Sequence, residues 1–143
     1  MDIISPYLLA IFVGWIVAQG LKYVIAVIRT RDFNHLRQLY VSGHMPSAHT
    51  STVIALATVV ALRDGIESAL FGIAALSAAI VMYDAMMVRR SVGEQGVALH
   101  ALLREQKSKV KLQPTAKGHT PSEVFVGFVL GVLIGLVVFL ATK

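Results

Sequence analysis

The sequence predicts an all-α fold, an integral membrane bundle of about four transmembrane helices with a short interfacial helix and a basic cytoplasmic loop. Three observations predict it. Of the 143 residues, 56% are hydrophobic and only 15% are charged, and the charges cluster. The apolar residues fall into four runs near the ~20 residues that a helix needs to cross a bilayer. Ten of the thirteen Lys and Arg residues lie between the first and second runs or between the third and fourth, the asymmetry that keeps loops cytoplasmic.

The elements follow in order, within one transmembrane domain spanning 1–143. The first helix is expected over 6–28. Its start, "MDIISP", has no basic leader and no small-residue cleavage site follows, so it reads as an anchor and not as a signal peptide. Loop 29–45 carries Arg29, Arg31 and Arg37, and its "FNHLRQLYV" places Phe33, Leu36 and Tyr40 on one face of a short interfacial helix. The second helix, 46–62, and the third, 66–88, are joined by "RDGIE", which is room only for a tight hairpin. Loop 89–120 is basic, with Arg89, Arg90, Arg104, Lys107, Lys109, Lys111 and Lys117. The fourth helix, 121–141, carries Gly127, Gly131 and Gly135, two consecutive GxxxG steps that let helices approach closely, within the chain or across a homodimer.

The positive-inside rule puts both termini outside and both long loops in the cytoplasm of a cell (inner) membrane. The net charge of +5 is thereby spent on topology, and no nucleic-acid partner is expected. The absence of cysteine excludes disulfides, thiolate metal sites and thiol nucleophiles.

Four sets of polar residues sit where an oily chain has no need of them. "GHMPS" at 43–47 and "GHTPS" at 118–122 repeat one phrase at two helix starts, where free N–H groups and the helix dipole favour an anion. In the first copy Pro46 suits an opening turn, Ser47 offers a hydroxyl donor and His49 can give or take a proton. A capped helix with an incidental histidine explains the same residues. In the second, Thr120, Pro121 and Glu123 make a capping box, which leaves His119 unexplained. Glu123 stands four residues beyond His119, where its carboxylate can hold one imidazole nitrogen and leave the other to attack.

Lys22 and Asp84 lie inside expected spans, where charge is costly and usually serves a bundle interior or a cavity. At 1.5 Å per residue both sit roughly 8–9 Å below the cytoplasmic helix ends. They can form a buried pair, or Lys22 can face a bound phosphate while Asp84 orients a cation. Arg89 and Arg90 end the third helix, where positive charge is expected anyway, and guanidinium also holds phosphate oxygens two at a time.

Taken in order, "AQGLK", "SGHMPSAHTSTVIAL", "IVMYDAMMVRR", "GEQ" and "GHTPSEVFVG" resemble the divergent type-2 phosphatidic acid phosphatase (PAP2) family, related to acid phosphatases and vanadium-dependent haloperoxidases, over nearly the whole chain. The likeness to classical type-2 phosphatases is looser. Their PSGH element corresponds to Pro46, Ser47, Ala48 and His49, with alanine in place of glycine. Their histidine with an acid four residues on corresponds to His119 and Glu123, with Glu for Asp. Their lysine and arginine seven apart correspond to Lys22 and Arg29, where Thr30 replaces the following proline. No arginine precedes His119 at the usual spacing, so Arg89 or Arg90 would have to substitute. Position 44 is usually glycine in the divergent family, so His44 is not expected to be essential.

The resemblance implies a lipid-phosphate phosphatase. His119 would be the nucleophile, Glu123 its partner and His49 the general acid. Lys22, Ser47, Arg89 or Arg90, and Asp84 would line the substrate site. No cofactor is required by that scheme, and Asp84 is the one group through which Mg²⁺ could enter. A cytoplasmic site points to phosphatidylglycerophosphate first and polyprenyl (undecaprenyl) phosphates or diphosphates second. A non-catalytic lipid-binding or assembly protein, and a transporter subunit using Asp84 as a proton relay, are the readings outside this class.

Overall fold

The computed structural model describes residues 4–31, 45–108, 110 and 118–143. The interfacial helix expected around Phe33, Leu36 and Tyr40, together with Arg37, His44, Lys109, Lys111 and Lys117, lies outside these residues. Among the described residues all regular structure is helical: α1 (Pro6–Thr30), α2 (Ala48–Asp64), α3 (Ala69–Tyr83), one π-helical turn (Asp84–Val88), α4 (Arg89–Glu105) and α5 (Pro121–Ala141).

Helix α2 is the axis of the bundle, and α1, α3 and α5 all pack on it. Lipid tails are as apolar as leucine, so such helices gain little from burying large side chains against each other; small residues that let backbones close up do better. The buried face of α1 has this character: Pro6, Ala10, Gly14, Ala18, Lys22 and Ala26 recur every fourth residue, one ridge of the helix. Lys22 is on that ridge and points inward. Helix α5 answers with Gly127, Gly131 and Gly135. A Cβ on Gly127 would lie 2.7 Å from the Ser47 carbonyl oxygen, and one on Gly131 2.7 Å from that of Ser51. The glycine stripe is thus packed on α2 within the chain, the first of the two uses that GxxxG allows.

Large apolar side chains point outward instead: Leu8, Phe12 and Trp15 on α1, Ile73, Leu76 and Ile80 on α3, Leu133 and Val137 on α5. Three helices are long and apolar enough to cross a membrane: Pro6–Thr30, the continuous Ala69–Glu105 and Pro121–Ala141. At 17 residues, α2 is shorter, about 25 Å. The end of the bundle away from the repeated phrases is closed by three side-chain hydrogen bonds. The Tyr7 hydroxyl donates to Asp64 Oδ2 at 2.7 Å, and Arg63 donates to the Thr142 carbonyl and, at 2.9 Å, to its hydroxyl.

Helix α1 runs to Thr30 rather than 28 and α2 over Ala48–Asp64 rather than 46–62, and the third helix departs most from the bounds the sequence suggests. The third helix does not stop at 88 but continues through the π-turn to Glu105, so the first half of the expected loop 89–120 is helix. Charge ends a span without ending a helix, and Arg89–Glu105 contains no proline. The hairpin is as short as expected, with Gly65 at φ +84°, a conformation that costs glycine little. Helix α3 then begins at Ala69 rather than 66, because the Ser68 hydroxyl caps it by accepting the Phe71 N–H at 3.1 Å.

Candidate active site

The two repeated phrases are used in different registers. In the first, Ser47 is the helix cap: its Oγ accepts the Thr50 N–H at 3.4 Å and the Thr50 hydroxyl at 3.0 Å. Pro46 precedes that cap rather than opening the helix. In the second, Thr120 is the cap and Pro121 the first helical residue; both halves of the capping box are present. The two starts are stitched together, since the Ser47 N–H donates to the Glu123 carbonyl at 3.2 Å. Two helix N-termini therefore lie side by side.

His119 is buried, its side chain 1% exposed. Its Nδ1 lies 3.2 Å from Glu123 Oε2, and the same oxygen accepts the Thr120 N–H at 3.0 Å. A carboxylate only accepts, so Nδ1 carries the proton of that bond, and Nε2 of the neutral ring holds the lone pair. Lys22, His49 and Arg89 are within electrostatic range of this imidazole. Lys22 in turn feels the Glu123 carboxylate. Burial pushes the His119 imidazole below the usual histidine range; Glu123 opposes the shift, while Lys22 and Arg89 add to it.

That direction carries a prediction. A group with a lowered pKa is neutral above it and protonated below, so a reaction using the His119 lone pair loses rate only as pH falls through the lowered value. The acid limb of a kcat–pH profile should therefore lie under the ordinary histidine pKa of about 6.5, and a limb at or above it would contradict the assignment.

Asp84 and Arg89 form an ion pair at 2.7 Å. Five residues apart, they face each other because a π-turn, not an α-turn, separates them. The buried Lys22–Asp84 pair that the sequence allowed is not formed; the Asp84 carboxylate, the one group through which Mg²⁺ could enter, is paired with the Arg89 guanidinium. Of the two arginines, only Arg89 joins the cluster. Arg90 is exposed and pairs with Glu94 at 3.1 Å, on the outer face of α4. Ser47, fully buried in its cap, supports the start of α2 rather than lining an open surface. Arg29 is exposed at the end of α1.

The structure thus brings together Lys22, His49, Asp84, Arg89, His119 and Glu123 from four separate stretches of chain. What the sequence reading missed is the π-turn and its partner segment. The signal was the five-residue spacing of Asp84 and Arg89, with Gly118 directly before the histidine.

These features define an all-helical membrane protein with a histidine–carboxylate pair and two cations at adjoining helix starts. The chain matches the Divergent PAP2 family over residues 4–134 and belongs to it. It is 35% identical, over 96% of both chains, to the "Uncharacterized membrane protein YuiD" of Bacillus subtilis (strain 168). No solved structure matches it.

Proposed function

We propose that this protein is a lipid-phosphate phosphatase working through a phosphohistidine. The observation that carries this reading is the His119–Glu123 pair, which leaves one ring nitrogen basic beside Lys22, Arg89 and His49. The Nε2 lone pair attacks phosphorus in line, the ester P–O bond breaks, and the leaving alkoxide takes its proton from His49. Lys22 and Arg89 neutralise the equatorial oxygens. Water then attacks phosphorus with His49 as base, the P–N bond breaks, and inorganic phosphate departs. Phosphoryl transfer asks mainly for such positioning and charge neutralisation.

A lipid substrate is supported by the surroundings. The site belongs to a bundle whose outer surface is apolar, and a cleft of about 390 Å³ opens between α3 and α5 over α2, walled by Phe71, Ala78, Met82, Phe128 and Val132. Four spans, with α2 crossing as a short helix and both termini outside, would put the site at the cytoplasmic face, where phosphatidylglycerophosphate is the first candidate and polyprenyl phosphates the second. Cysteine labelling at residue 108 should then require permeabilised cells; labelling from outside would reverse the topology and remove the argument for an inner-leaflet lipid. The activity itself is tested by phosphate release from a panel of phosphatidylglycerophosphate, phosphatidate and undecaprenyl phosphates with purified protein in detergent. No release from any of them would leave a lipid-binding protein.

His49 gives a more specific test. Losing a positioned general acid costs about 10²–10⁴ in rate, so His49→Ala should lose that much on an alkyl phosphate. On p-nitrophenyl phosphate, whose leaving group needs no proton, most of the deficit should vanish. An equal deficit on both substrates would remove His49 from the acid role.

A further inference from the structure

The π-turn is the one irregularity in a 37-residue helix, and single π-turns inside α-helices commonly mark functional sites. Its hydrogen bonding shows what it does here. In an α-helix the Arg89 N–H would bond to Ala85, four residues back. Instead it reaches Asp84, which leaves the Ala85 carbonyl to a partner from elsewhere. That partner is the His119 N–H, at 3.0 Å. Ala85 is itself buried, 2% exposed, so water does not compete for the bond.

A second contact holds the same segment. Gly118 lies flat on the backbone of Arg90, so close that an added Cβ would collide with the Arg90 nitrogen and lie 2.5 Å from its Cα. Backbone atoms cannot step aside as a side-chain tip can. The residue before the histidine must therefore be glycine for the histidine to reach Ala85. One turn thus sets two members of the site: it faces Arg89 toward Asp84 on one side and anchors His119 on the other.

We propose that the π-turn Asp84–Val88 is the positioning element of the site, with Ala85 and Gly118 as positioning residues that hold the His119 ring in place among Lys22 and Glu123, His49 and Arg89. The kinetic consequence rests on the phosphohistidine reading; the anchoring does not. Displacing a reacting group by about 1 Å can cost 10²-fold in rate, and a histidine freed from its buried seat titrates closer to the ordinary value.

The experiment compares wild type with Gly118→Ala, using ¹³C-histidine NMR titration in detergent micelles and kcat and KM on the best lipid phosphate. For Gly118→Ala we expect kcat about 10²-fold lower, KM within a few-fold, and the His119 resonance titrating at higher pH than in wild type. Wild-type kcat with an unmoved His119 titration would overturn the proposal. So would a fall in kcat with the titration unmoved, because the loss would then arise elsewhere. If Gly118→Ala does not purify as a monodisperse species, deletion of Met87 serves in its place. It removes the extra residue of the turn, so that the Arg90 N–H falls four residues after Ala85 and takes its carbonyl, and it leaves 118–123 unaltered, with the same outcomes deciding. If wild type releases no phosphate from any lipid, the phosphatase reading fails, while a displaced His119 titration in the variant still supports the anchoring.

Discussion

His119→Ala should abolish phosphate release and leave the protein folded in the membrane. The expected loss is the largest of any single substitution, because no other described side chain offers a basic nitrogen held by a carboxylate within the cluster. His49, the alternative imidazole, is exposed at the second residue of α2, and no carboxylate follows it at position 53. The fold should survive, since among the described residues the His119 side chain makes one hydrogen bond, to Glu123. The Glu123 carboxylate keeps the Thr120 N–H, and the backbone bond from His119 to Ala85 does not involve the ring. A cavity from an imidazole costs stability, but α5 keeps its capping box and its glycine seam. The check is a pair of measurements on the same preparation: lipid-phosphate turnover, and trapping of labelled phosphoenzyme stable to alkali and labile to acid. Turnover at the wild-type rate would exclude the phosphohistidine. Lost turnover with a trapped phosphoenzyme still forming would place the nucleophile elsewhere.

Gly131→Leu should be the most damaging change to the fold. Its first added carbon would stand 2.7 Å from both Ile54 Cβ and the Ser51 carbonyl oxygen, in the middle of the α2–α5 seam. Overpacking a well-filled core costs about 1–3 kcal/mol where side chains can adjust, and here one obstacle is backbone. Four side-chain carbons in that place would push α5 off α2. Because the Ser47–Glu123 bond spans the same seam, the site would open with it, so activity and thermal stability should fall together. Gly72→Leu is the control, since nothing lies within 4 Å of a Cβ there. The melting temperature of the two variants in detergent, followed by size-exclusion profile, separates them. Equal stability would mean that the α2–α5 seam is not the core of the bundle.

The sequence by itself determined the membrane class, the four apolar segments, the short hairpin at Gly65 and the pairing of His119 with Glu123. Each of these is a local property. Hydropathy over a window, a turn too short for anything else and two residues four apart on one helix start need no knowledge of the rest of the chain. It also nominated Lys22 and Asp84, because charge in an apolar run is conspicuous wherever it lies. It could not say whom they meet. Lys22 is inward because it shares a ridge with Ala18 and Ala26 that packs on other helices, and Asp84 meets Arg89 because five residues make a π-turn rather than an α-turn. The glycines of α5 read equally well as an internal seam or a dimer face, and only the position of α2 against them chose. The same holds for the repeated phrase. Two nearly identical pentapeptides cap their helices at different residues, Ser47 in one and Thr120 in the other. Tertiary structure decided these points because each depends on which groups face one another once the helices are packed. One of them, the Ala85 carbonyl, is left open by a helix irregularity and claimed by a residue 34 positions further along the chain.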